Sequence, residues 1–90
     1  MPLFLHLMTT AEENYIKAIF KLSGSEGATV PTNAIAAEMH TSAASVTDMI
    51  KRLAEKKMVS YEKYKGVELT ENGSLKAREM IRNHRIWEVF

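Results

Sequence analysis

The hydrophobic pattern of this chain predicts a winged helix-turn-helix, mainly α with one small β-hairpin. Three observations carry the expectation. Helical periodicity runs through three segments before residue 57, and the second and third of these are separated by a very short break. Between Val59 and Leu69 the period changes from 3.6 to 2, and after Thr70 it is helical again. The architecture that follows is a three-helix core plus a wing, then a long C-terminal helix.

The first helix is expected to begin near Thr10. Thr10-Ala11-Glu12-Glu13 reads as a capping box, in which the hydroxyl takes an orphan N–H and the glutamate three residues on returns a bond. Tyr15, Ile16, Ile19, Phe20 and Leu22 then form a helical stripe, which Ser23-Gly24-Ser25-Glu26-Gly27 ends. Thr32, after Pro31, is placed to cap a short second helix from Asn33 to Met39 that buries Ile35, Ala36 and Met39. His40-Thr41 makes a tight break. Ser42 caps a third helix from Ala43 to about Lys57, with Val46, Met49, Ile50 and Leu53 on one face. Val59-Ser60-Tyr61-Glu62-Lys63-Tyr64 alternates as a strand, Lys65-Gly66 supplies a turn, and Val67-Glu68-Leu69 returns. Thr70 begins a fourth helix whose stripe is Leu75, Ala77, Met80, Ile81, His84, Trp87 and Phe90, with Leu75 and Met80 expected in the core.

Composition bounds the function classes. Ninety residues, 46% hydrophobic and 26% charged, make one small domain with a thin core. The absence of cysteine removes any disulfide framework and fits a reducing, cytoplasmic setting. An enzyme is not expected, since there is no activated nucleophile, glycine-rich phosphate loop or carboxylate pair in a defined cleft. The apolar opening Met1 to Leu7 lacks the basic start and cleavage site of a signal peptide, and residues 1–8 are set apart as an extension without function. Net charge is +1, but its distribution is uneven. Residues 11–40 hold two bases and four acids, residues 41–65 hold six bases and three acids, and residues 66–90 balance. The local excess favours a phosphate-facing side near the third helix and the hairpin.

Four stretches go further: Thr9-Thr10-Ala11-Glu12-Glu13-Asn14-Tyr15-Ile16, Ile35-Ala36-Ala37-Glu38-Met39, Ser45-Val46-Thr47-Asp48-Met49-Ile50-Lys51-Arg52-Leu53, and Leu69-Thr70-Glu71-Asn72-Gly73. Together with the ending Arg82-Asn83-His84-Arg85-Ile86-Trp87-Glu88, the chain resembles the iron- and manganese-dependent repressors related to the diphtheria toxin repressor. The resemblance covers residues 9–90, and His84…Glu88 is its most specific part. It implies a cytosolic homodimer that binds palindromic double-stranded operators when loaded with Fe(II) or Mn(II), repressing metal-uptake genes. No membrane and no small-molecule substrate are implied.

With the third helix as a recognition helix, its N-terminal half meets base edges in the major groove. The core stripe leaves Ala44, Ser45, Thr47, Asp48 and Lys51 facing outward. Ser42, Ser45 and Thr47 suit phosphate, Ala44 a thymine methyl, and Asp48 a cytosine amino group, although its charge also repels phosphates. Arg52 either reaches phosphate or lays its methylenes over the core. Lys63, Tyr64 and Lys65 stand at the wing tip, where ammonium groups neutralise phosphates. The same residues serve equally as ordinary helix caps and solubilising lysines, and spacing alone does not decide between these roles.

His84 and Glu88 are four residues apart, about 40° around a helix and one turn along it. An imidazole and a carboxylate so placed hold one divalent cation from one side, a set suited to Mn(II), Fe(II), Co(II) or Zn(II); a solvated contact between them is the plainer alternative. The resemblance implies that both are metal ligands, with Asn14 at the first-helix position and further ligands on a later helix. Asn14 departs from the pattern, since iron-type members carry methionine there and manganese-type members aspartate. Lys17 likewise stands where some manganese-type members place a carboxylate. The chain is therefore expected to carry at most half a metal site, with Mn(II) and Fe(II) both open. Residues 9–70 form the expected DNA-binding unit, and residues 71–90 the start of a metal-binding and dimerisation region that Trp87 and Phe90 suggest continues. A metal-independent winged-helix regulator and a protein-interaction module are the competing readings.

Overall fold

The computed structural model describes residues 8–24, 28–63 and 65–89, with side chains described as far as Arg82. Its elements are α1 (Thr10–Ser23), α2 (Thr32–Met39), α3 (Ala43–Glu55), β1 (Val59–Glu62), β2 (Gly66–Leu69) and α4 (Glu71–Val89). This is the expected winged helix-turn-helix.

The N-terminal box of α1 sits one residue earlier than the sequence suggests. Thr9 is the cap: the Glu12 amide donates to Thr9 Oγ1 at 3.1 Å, and the Thr9 amide donates to Glu12 Oε1 at 2.9 Å. Both Thr9–Glu12 and Thr10–Glu13 satisfy the motif. The tertiary fold selects the first, because Glu12 there also meets Lys56 beyond the end of α3, at 2.7 Å. For α2 the expected cap is likewise displaced. Pro31 precedes the first turn with extended backbone, Thr32 is already helical, and no side chain caps the helix. His40 then takes the left-handed conformation (φ 54°, ψ 48°), which turns the chain within two residues into Ser42, the observed cap of α3.

α3 ends two residues short of the expected Lys57. Lys57 itself adopts φ 62°, and the Met58 amide donates back to the Leu53 carbonyl at 2.9 Å. This left-handed turn sends the chain into β1, which pairs antiparallel with β2 from Val59↔Leu69 to Glu62↔Gly66. Val30 adds a bridge absent from the sequence reading, exchanging both backbone bonds with Val67 at 2.7 and 2.8 Å. A Cβ at Gly66 would lie 2.5 Å from the Val30 carbonyl oxygen, and φ there is 118°, so only glycine fits this crossing.

Ile16, Ile19, Ile35, Val46, Leu53, Val30 and Val67 are fully buried and join Tyr15, Ile50, Met58, Val59 and Ala77 in one core. Met8, Phe20, Leu22, Ala36, Met39, Met49 and Met80 pack around its margin. Leu75 is a correction, for it is 55% exposed. The face of α4 that meets the core is Gly73, Ser74 and Ala77, and Leu75 lies about 200° around the helix from Ala77. Small residues win this face because α4 approaches the Met58 carbonyl so closely that a Cβ at Gly73 would collide with it. Thr70 holds the approach: its amide donates to Met58 O at 3.0 Å, its hydroxyl donates to Lys57 O at 2.7 Å, and the same Oγ1 accepts from the Gly73 amide at 3.1 Å. Among the described residues no helix is long and apolar enough to cross a membrane.

Candidate nucleic-acid interface

The two sides of α3 separate as its period requires. Val46, Ile50 and Leu53 are buried and Met49 is half-buried, while Ala43, Ala44, Ser45, Thr47, Asp48, Lys51 and Arg52 are exposed. No part of the described chain covers this outward face. Its hydroxyls are partly engaged already. Ser42 Oγ accepts the Ser45 amide at 3.2 Å and donates to Ser45 Oγ at 3.0 Å, and Thr47 Oγ1 donates to the Ala43 carbonyl at 3.0 Å. The cap therefore uses Ser42 and orders Ser45, whose own hydrogen points to no protein acceptor among the described residues. The methyls of Ala43 and Ala44 leave room for another surface to approach closely.

The wing stands beside this face. Lys63 and Lys65 are exposed, and Lys65 pairs with Glu62 at 3.3 Å. Tyr64 lies outside the described residues. Between wing and α3 runs a groove of about 240 Å³ whose wall is almost wholly apolar, formed by Thr32, Thr47, Ile50, Lys51, Ala54 and Tyr61. Sequence reasoning did not place Tyr61 at a binding surface, and it read Thr32 only as a helix cap. The signal for Tyr61 was present, since a strand period of 2 places it on the same side as buried Val59, toward α3.

At the other end of α3 a polar joint ties the helices together. Glu12 is buried, and its carboxylate takes the Lys56 ammonium at 2.7 Å and the Thr9 amide at 2.9 Å. Burial by itself raises the pKa of this carboxyl. The hydrogen bond and charge of Lys56, with the bonds from Thr9, outweigh burial and hold it below its ordinary value. Lys21–Glu38 at 3.0 Å links α1 to α2, and Lys76 approaches Glu13 at 3.9 Å.

The expected metal donors are less fully displayed. Asn14 is exposed on α1, as is Lys17, and α1 packs directly on α4, the helix that carries His84 and Glu88 one turn apart. The side chains of His84, Glu88 and Trp87 lie outside the described residues, as do residues 1–7 and Phe90. Among the described residues no three His, Asp or Glu side chains gather to hold a metal ion.

Residues 6–67 match the family described as "Iron dependent repressor, N-terminal DNA binding domain". The chain belongs to this family. Iron-dependent-repressor domains of this kind are DNA-binding rather than enzymatic, and relatives carry regulator names. The HTH-type transcriptional regulator MntR of Oceanobacillus iheyensis is 36% identical over 83 residues, covering 91% of this chain and 55% of that protein. The chain thus spans about half the length of the curated relatives it matches. Among solved structures, ScaR with bound Zn2+ superimposes with a TM-score of 0.75 at 30% identity, over 88% of this chain and 36% of that one. The manganese regulator SloR gives 0.67 at 35% identity, over 87% and 36%. The fold and its repressor lineage are settled on these grounds.

Proposed function

We propose that this chain is the DNA-binding part of a metal-responsive transcriptional repressor that acts in the cytoplasm as a homodimer on palindromic operators. The observation that carries the reading is the uncovered face of α3, small and hydroxyl-bearing from Ser42 to Thr47, directly beside a lysine-bearing wing. In it, Ser42, Ala44, Ser45, Thr47, Asp48 and Lys51 meet the major groove, and Lys63, Tyr64 and Lys65 meet the flanking backbone. Residues 9–70 form the DNA-binding unit, and residues 71–90 begin the metal-binding and dimerisation region.

His84, Glu88 and Asn14 are the donors we assign to the effector, Mn(II) or Fe(II). Nitrogen and oxygen donors of this hardness fit such ions, and the exposure of Asn14 on a helix packed against α4 leaves its amide oxygen available. What a bound cation supplies is a tie between α1 and α4 that favours one geometry of the paired recognition helices.

A gel shift with the full-length protein and its own promoter region tests the proposal. Retardation that requires Mn(II) or Fe(II) and is reversed by a chelator is expected. His84→Ala is expected to abolish the metal response while leaving the thermal melt in place. Retardation indifferent to chelator makes the protein a metal-independent regulator, and the absence of any DNA binding removes the reading.

A further inference from the structure

Tyr61 is 52% exposed, an aromatic ring standing on β1 at the border of two hollows. One is the apolar groove against Thr47, Ile50, Lys51 and Ala54; the other, of about 180 Å³, is lined by Pro31, Thr32, Lys65 and Gly66. An exposed ring facing an apolar groove keeps carbon surface in water that an occupant would cover. The rim shows which kind of occupant fits. Lys51 is exposed and has no ion-pair partner among the described residues. The Lys65 ammonium makes an exposed pair with Glu62, a contact that exchanges at little cost. A carbon floor between ammonium groups complements a deoxyribose flanked by phosphates. Thr47 and Lys51 belong both to the groove and to the outward face of α3, so the two surfaces are continuous.

We infer that the groove between α3 and the wing seats the sugar-phosphate backbone of one DNA strand, with the Tyr61 ring packed on a deoxyribose and Lys51 paired with the adjoining phosphate. The inference rests on the DNA-binding reading and adds to it a contact that carries no base information. Tyr61 thereby sets how deeply α3 enters the groove of the duplex, and it contributes affinity that salt does not screen.

The test is fluorescence anisotropy of the full-length protein, with Mn(II), on a labelled duplex of random sequence titrated across a salt series. Tyr61→Ala is expected to weaken binding about tenfold with the salt slope unchanged, because an uncharged packing contact is lost. Tyr61→Phe keeps the ring and most of the affinity. Lys51→Gln weakens binding and lowers the salt slope by about one, as loss of a single phosphate contact requires. Tyr61→Ala binding as tightly as the parent overturns the inference and leaves the DNA-binding reading standing, the groove then belonging to another partner. A loss with Tyr61→Phe equal to that with alanine also overturns it. Failure of the parent protein to bind any duplex removes both. A second measurement does not depend on the truncated variant folding. These 90 residues hold no cysteine, so Tyr61→Cys places the one thiol of the domain at the groove. Disulfide capture by a duplex with backbone-tethered thiols supports the contact, whereas capture of Ser45→Cys but not Tyr61→Cys defeats it.

Discussion

At its N-terminal end α3 presents Ala44, Ser45, Thr47 and Asp48 to solvent, held in place by a local cap from Ser42. Just beyond its C-terminal end, Lys56 reaches across to buried Glu12 on α1, Lys57 turns left-handed, and Thr70 and Gly73 of the α4 entry lock onto the carbonyls of Lys57 and Met58. The hydrogen bonds of the first end stay within the helix and its cap, while those of the second reach two further elements, α1 and α4. The difference teaches how a thin domain can hold an exposed surface steady: the end we propose to read DNA is ordered by its own hydrogen bonds, and its direction is fixed from the anchored end. Substitutions at the anchor should therefore cost stability, and those on the reading face should cost binding.

The harshest break of this contrast is Gly73→Ala. Its Cβ meets backbone rather than a yielding side chain, so about 3 kcal/mol of stability and roughly 15 °C of melting temperature should be lost. A thermal melt within a few degrees of the parent would mean that α4 is not seated as described. Next comes Glu12→Gln, which removes the charge opposite Lys56 while keeping an acceptor for the Thr9 amide. Lys56 retains some access to water, so a loss of about 1–2 kcal/mol is expected in urea denaturation. The pH dependence sharpens this. The folded Glu12 carboxyl lies below its unfolded value, so its stabilisation is complete above the unfolded pKa and is lost as pH falls through the folded one. Parent and Glu12→Gln should thus differ most near neutrality and converge on the acid side of the ordinary glutamate range.

Ser42→Ala tests the reading end by itself. Loss of the cap should cost about 1 kcal/mol, less than the anchor substitutions; an equal cost would erase the distinction between the two ends. Smallest of all, Leu75→Ser should change stability by no more than about 0.5 kcal/mol, since the side chain faces solvent. A large loss there would return Leu75 to the core, where the sequence pattern had put it.

These cases show which features were legible in advance. The outward set on α3 followed from Val46, Ile50 and Leu53 alone, because a helix period assigns every other position once its buried stripe is known. Ser42 as a cap and His40-Thr41 as the break were equally readable, each depending on neighbours only. The register of the first capping box was not, since Thr9 and Thr10 offer the same motif and Lys56, 44 residues from Glu12, decides between them. Leu75 departs from its pattern for a related reason: an apolar residue on a helical stripe is expected in the core, but the close seat of α4 requires small ones there. Tyr61 was visible as a strand residue on the Val59 side, but the groove that makes it notable exists only once β1 lies beside α3.

By itself the sequence determined the element order, the switch of period at the wing, the exposed face of α3 and the residue types available for phosphate and for a metal. All of these depend on residues within a few turns of one another, where backbone geometry fixes relations without reference to the rest of the chain. The tertiary structure alone decided the Glu12–Lys56 joint, the Val30–Val67 bridge, the close seat of Gly73 and the groove beneath Tyr61. Each joins segments distant in sequence, and such pairings are chosen by how the whole core packs, which no local pattern encodes.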